Sequence, residues 1–67
     1  MENLRNLRLS ERYTHQDMAD QLNISKAFYW QIENRKRTLT YKMAVRIAAI
    51  FNRKPDEIFY DEFKNKD

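Results

Sequence analysis

The 67-residue chain has no cysteine, no glycine, one proline and one histidine. Without cysteine there is no disulfide framework and no thiolate metal site. With His15 as the only imidazole, a zinc site would have to draw nearly all its ligands from carboxylates. No metal or other cofactor is therefore expected. No run approaches the roughly 18 apolar residues of a membrane span, and the opening MENLRNLRLS lacks the apolar core of a signal peptide. These absences lead us to expect a cytoplasmic protein that does not engage a membrane. Repeats, low-complexity tracts and Ser/Pro linkers are also missing, so one domain is expected over residues 1–67, with a core at about 3–59 and a short tail at 60–67. A chain this short buries only about 60% of the surface it exposes when unfolded. A compact helical core or a dimer must then supply the stability.

Catalysis is not expected. The single histidine has no evident serine partner, and the acidic pairs Asp56/Glu57 and Asp61/Glu62 are adjacent residues that diverge on a helix. A nucleophile, its base and an orienting group cannot be assembled from this inventory.

The net charge of +3 is unevenly spread. Residues 1–24 carry three basic and four acidic side chains, and residues 47–67 carry four and five. Between them, Lys26, Arg35, Lys36, Arg37, Lys42 and Arg46 face Glu33 alone, a local excess of +5. A concentrated basic segment is the electrostatic footprint of a surface that binds a polyanion, although a solvated basic face has the same composition. The basic residues lie largely in a loop and not along one amphipathic face, so a membrane-surface helix fits poorly.

Apolar spacing and capping residues predict an all-α chain of five short helices. The first runs over about Glu2 to Glu11, with Leu4, Leu7 and Arg8 on one face. The second opens at Thr14, with Asp17 placed to complete a capping box, and buries Met18, Ala19 and Leu22. Asn23, the residue after glycine most able to turn left-handed, ends it. Ser25 then caps a third helix running to about Asn34, so residues 22–25 read as the tight turn of a helix-turn-helix. A fourth helix follows the cap Thr40, with Tyr41, Ala44, Val45 and Ala48 inward and Ile47 and Phe51 widening the stripe. Pro55 begins a last helix through Ile58 and Phe59.

The third helix poses a geometrical question, because Phe28, Tyr29 and Trp30 are consecutive. Successive helical residues are about 100° apart, so the three rings cannot share one core. Tyr29, Ile32 and Glu33 form the inward face, leaving Ala27, Trp30, Gln31 and Asn34 outward with Lys26 and Phe28 at the edges. Because Arg8 and Glu33 both fall on inward faces, they are expected to pair between helices, the alternative being a surface contact of Arg8 with Glu11.

These parts, in this order, resemble the Cro/repressor-type helix-turn-helix proteins, also called the xenobiotic-response-element family. The likeness spans about residues 3–59 and rests on LRNLR at 4–8, THQDMADQLNIS at 14–25, KAFYWQIEN at 26–34 and RIAAIFNRKPDEIF at 46–59. Arg8 and Glu33 stand where that family commonly has an interhelix pair. The family's turn glycines are replaced here by Arg12, Asn23 and Arg35. Asn23 is an easy substitute, whereas Arg12 and Arg35 are costly ones if they must adopt positive φ.

The resemblance implies a double-stranded DNA-binding transcription regulator whose third helix enters the major groove, most simply a dimeric repressor reading an inverted-repeat operator. On this chain the base-reading set is then Lys26, Ala27, Phe28, Trp30 and Gln31, with Gln31 suited to adenine and Lys26 to guanine or phosphate. His15 lies where the family often has a phosphate-touching glutamine, and it also sits at a helix N-terminus, which suits an anion; the alternative is a solvated imidazole. Asn34, Arg35, Lys36 and Arg37 would meet the flanking backbone. Phe59, Tyr60 and Phe63 are the expected dimer contacts, since they are more apolar than a free terminus needs. An antitoxin-like or partner-docking module of the same fold is the competing expectation, with Phe28 and Trp30 as anchors to a regulatory protein.

Overall fold

The computed structural model describes residues 1–64. Five α-helices follow one another: α1 (Glu2–Ser10), α2 (His15–Leu22), α3 (Lys26–Glu33), α4 (Tyr41–Ile50) and α5 (Pro55–Phe63). Residues 65–67 of the expected tail lie outside the described residues, while 60–63 continue α5 instead of trailing from it. The helix bends once, at Phe59 (φ −113°, ψ 16°).

The starts of α2 to α5 each have a side-chain or backbone cause. Thr14 Oγ1 accepts from the Asp17 amide at 3.0 Å while Asp17 Oδ2 accepts from the Thr14 amide at 2.8 Å, closing the capping box. Ser25 Oγ accepts from Phe28 N at 3.0 Å, and Thr40 Oγ1 from Met43 N at 3.2 Å. At α5, Glu57 Oε1 accepts from Lys54 N at 2.9 Å, and Pro55 supplies a preset φ at the first turn.

Four helix ends share one geometry. Arg12, Asn23, Arg35 and Asn52 adopt φ of 57 to 59°. Following each, an amide turns back to a carbonyl five residues earlier: Tyr13 to Arg8, Ile24 to Ala19, Lys36 to Gln31 and Arg53 to Ala48. This is the Schellman closure, built here without glycine. Arg12 and Arg35 therefore do take the left-handed conformation that costs a residue with a Cβ.

The core draws on every helix. Leu4, Met18, Leu22, Tyr29, Ile32, Ile47 and Phe59 are its largest fully enclosed side chains, with Leu39 from the connection between α3 and α4 and Ile58 closing the edges. Burying each of the large apolar groups contributes about 1.5–3 kcal/mol before chain entropy is counted. Two expectations are corrected. Tyr41 and Val45 are 60% and 42% exposed and drop out of the expected inward stripe of α4, of which Ala44, Ile47 and Ala48 are buried. Phe59 is fully buried between the helices and is unavailable to a partner subunit.

Candidate DNA-binding interface

α2 and α3 are joined by the turn Asn23–Ile24–Ser25, and the junction is braced from outside. Arg46 on α4 donates through Nη2 to the Leu22 carbonyl, supplying a cation where the end of α2 leaves its carbonyls unpaired. Part of the central basic segment thus has a structural task.

Beneath the paired helices lies a closed polar cluster. Glu33, on the buried face of α3, accepts from Arg8 Nε at 2.8 Å and Nη2 at 3.2 Å, and from the Tyr29 hydroxyl at 3.0 Å. His15 Nε2 lies 3.1 Å from the second carboxylate oxygen. Arg8 also donates through Nη1 to the Tyr13 carbonyl at 2.9 Å, which holds the turn between α1 and α2. Burial pushes the Glu33 carboxyl up, but the bonds from Arg8 and Tyr29 outweigh it and hold it below the ordinary carboxylate range. The same bond to Glu33 raises Arg8, and burial together with the Glu33 charge raises the Tyr29 phenol. Every member is satisfied: no buried side-chain nitrogen or oxygen among the described residues lacks a partner.

His15 is therefore neither fully solvated nor aimed only outward. Its ring is half-buried, with its centroid 6.1 Å from that of Tyr29. It forms part of the wall of an open cleft of about 650 Å³, which Arg5, Asn6, Trp30, Asn34 and Arg35 also line. Arg5, Arg8 and Arg35 line this cleft against the carboxylates Glu2 and Glu33, leaving a small cationic excess beside the first residue of α2, which can attract a phosphate.

On the outer face of α3, Lys26, Ala27, Trp30 and Asn34 are exposed, Trp30 at 44%. Phe28 and Gln31 are half-buried. Phe28 packs its inner edge on the core and carries the Arg37 guanidinium over its ring, 4.2 Å from the centroid. Arg37 Nε donates to Gln31 Oε1 at 3.1 Å. Asn34 spends its side-chain amide N–H on the Trp30 carbonyl at 3.0 Å, within its own helix. Arg35 reaches across to α5, where Glu62 accepts from Nη2 at 2.6 Å and from Nε at 3.2 Å. This pairing raises Arg35 and lowers Glu62. Lys26, Lys36 and Lys42 form no ion pair among the described residues.

Sequence reasoning did not foresee Glu62, Arg46 or the inward turn of His15. The i, i+3 and i+4 rules find partners within a helix, whereas these three contacts join elements 18 to 27 residues apart.

A helix-turn-helix family model matches residues 4–58, which covers all of α1 but its first two residues, the whole of α2 to α4, and the opening of α5. Neither the curated proteins nor the solved structures compared with the chain gave a match. The matched span contains the two capped helices, the turn between them and the exposed outer face of α3, so the chain belongs to the Cro/repressor-type helix-turn-helix family and is a DNA-binding transcription regulator.

Proposed function

We propose that the protein is a cytoplasmic, non-catalytic repressor that reads an inverted-repeat operator as a dimer, with α3 in the major groove. One observation carries this reading: the outer face of α3 is solvent-exposed and is followed directly by Arg35, Lys36 and Arg37. Lys26, Ala27, Phe28, Trp30 and Gln31 present hydrogen-bonding and apolar groups to base edges, while Lys36 and Asn34 meet phosphates with Arg35, Arg37 and His15 alongside. Eight helical residues extend about 12 Å, enough for only a few base pairs, so one copy has little to read. Two copies related by a two-fold axis would place their α3 helices about 34 Å apart.

The dimer face follows from what remains outside the core. Tyr60 at 63% exposure, Tyr41 and Val45 lie on α4 and α5, and the half-buried Phe63 meets Tyr41 edge to face at 6.0 Å between centroids. With Phe59 removed by burial, the proposed dimer contacts are Tyr60 and Phe63 together with Tyr41 and Val45. The partner-docking alternative draws on Trp30, a large exposed aromatic of the kind that anchors protein interfaces.

Affinity selection from a random pool of roughly 30-base-pair duplexes tests the reading, with half-sites one turn apart as the expected product. Enrichment of an inverted repeat is the supporting result. Salt-sensitive binding without sequence enrichment, together with a complex that survives high salt with a second protein, would transfer the role to partner docking.

A further inference from the structure

The contacts of Arg37 go beyond a backbone cation. Its Nε donates to Gln31 Oε1 at 3.1 Å, and its guanidinium carbon lies over Phe28, 4.2 Å from the ring centroid. Phe28 and Gln31 are three residues apart on the same side of α3, and both are half-buried beside its exposed face. The loop residue therefore ties together two side chains of the recognition surface. A guanidinium is rigid and donates in fixed directions, so its contact with Phe28 restricts the line along which Nε can point. The amide oxygen of Gln31 must lie on that line.

An unrestrained glutamine amide can rotate by half a turn and exchange its acceptor for its donors. It can then match adenine, which offers N6–H₂ and N7, or guanine, whose O6 and N7 both accept. A glutamine whose oxygen is held from one side keeps a single orientation. We infer that Arg37 is a positioning residue for sequence specificity: through Phe28 and Gln31 it fixes the Gln31 amide and so decides which base is accepted opposite that side chain. The inference rests on α3 reading the major groove.

The experiment is affinity selection and sequencing, run in parallel on the wild-type chain, Gln31→Ala and Arg37→Met. Met keeps an unbranched stem and removes every donor, and residue 37 is exposed, so the fold should survive the change. The base pair at which Gln31→Ala loses its preference identifies the pair read by Gln31. There the wild type should favour one base over the others on the order of five-fold or more. Arg37→Met should bring that ratio to within about two-fold while other positions keep their preferences. Loss of a mere phosphate contact lowers affinity for every sequence alike and leaves the ratio unchanged, which would overturn the inference. If Gln31→Ala alters no position while an inverted repeat is still enriched, Gln31 does not read a base; the inference fails and the DNA-reading proposal stands. If the wild type enriches no sequence, the proposal itself fails and takes the inference with it.

Discussion

Glu33 joins Arg8, Tyr29 and His15 in one group of hydrogen bonds, so the energetic weight of these residues is shared. Arg8 and Glu33 are 6% and 5% exposed, and removing one partner leaves the other charge buried without compensation. Arg8→Met should cost about 3–5 kcal/mol in urea denaturation, close to the entire stability of a chain this small. A loss below about 1 kcal/mol would mean that solvent reaches Glu33 freely.

The same group gives a pH profile. The Glu33 carboxyl is lowered from an ordinary 4.5, so its contribution is present above that value and is lost as pH falls through the depressed folded-state value. The Tyr29 phenol is raised from 10.0, so its contribution is intact below pH 10 and declines as pH climbs beyond. Melting temperature should therefore be level between these limits and fall on both sides. Tyr29→Phe should weaken the alkaline fall, and an unchanged alkaline limb in that variant would rule Tyr29 out as its source. At this scale the sequence was informative where periodicity applied. Arg8 and Glu33 each sit one helical turn from an apolar residue, which makes their burial readable. His15 is the first residue of its helix, and its partner is decided by how α2 docks on α3.

Among the elements, the helix ends set the clearest test. Arg12 holds φ of 59° yet its side chain makes no hydrogen bond among the described residues. Arg12→Gly should remove the left-handed penalty, and part of that gain is offset by the greater freedom of glycine in the unfolded chain. The net expected stabilisation is about 0.5–1 kcal/mol, seen as a higher melting temperature. A destabilised variant would show that the Arg12 side chain contributes packing. Arg35 is a different case, since its side chain pairs with Glu62 and fastens the end of α3 to α5. Glu62→Gln should release Arg35 and raise DNA affinity a few-fold; weaker binding would mean that the pair holds Arg35 where phosphate needs it. Element boundaries were readable because caps are local: Thr14, Ser25, Thr40 and Pro55 each act within one turn. The inward face of α4 was readable only in part, since Ala44, Ile47 and Ala48 are buried as expected while Tyr41 and Val45 are not. Apolar residues surround that helix, including Tyr41, Met43, Ala44, Val45 and Ile47, so several stripes fit its sequence. The packing of α2 and α5 selects Ala44, Ile47 and Ala48.

For the molecule as a whole, the five large exposed apolar side chains among the described residues include Leu9 on α1 and Trp30 on α3, while the other three, Tyr41, Val45 and Tyr60, lie on α4 and α5. If that surface joins two copies, Tyr60→Lys should shift sedimentation toward monomer at micromolar concentration and weaken operator binding more than it weakens binding to random DNA. A dimer that survives both Tyr60→Lys and Val45→Asp would place the contact elsewhere. The fate of Phe59 explains why composition alone misled here. It reads as a residue near a chain end, yet the bend at position 59 lets its ring enter the core while Tyr60 turns out.

The chain contains a single tryptophan, and Trp30 stands half out of the surface on the helix assigned to the groove. Its fluorescence therefore reports on that surface without any added label. Wild-type emission in buffer should already be that of a partly hydrated indole, so urea should produce only a modest red shift. Titration with operator duplex should quench the emission and protect it from acrylamide. The same spectrometer trace, followed in time, would yield association and dissociation rates for the unmodified protein.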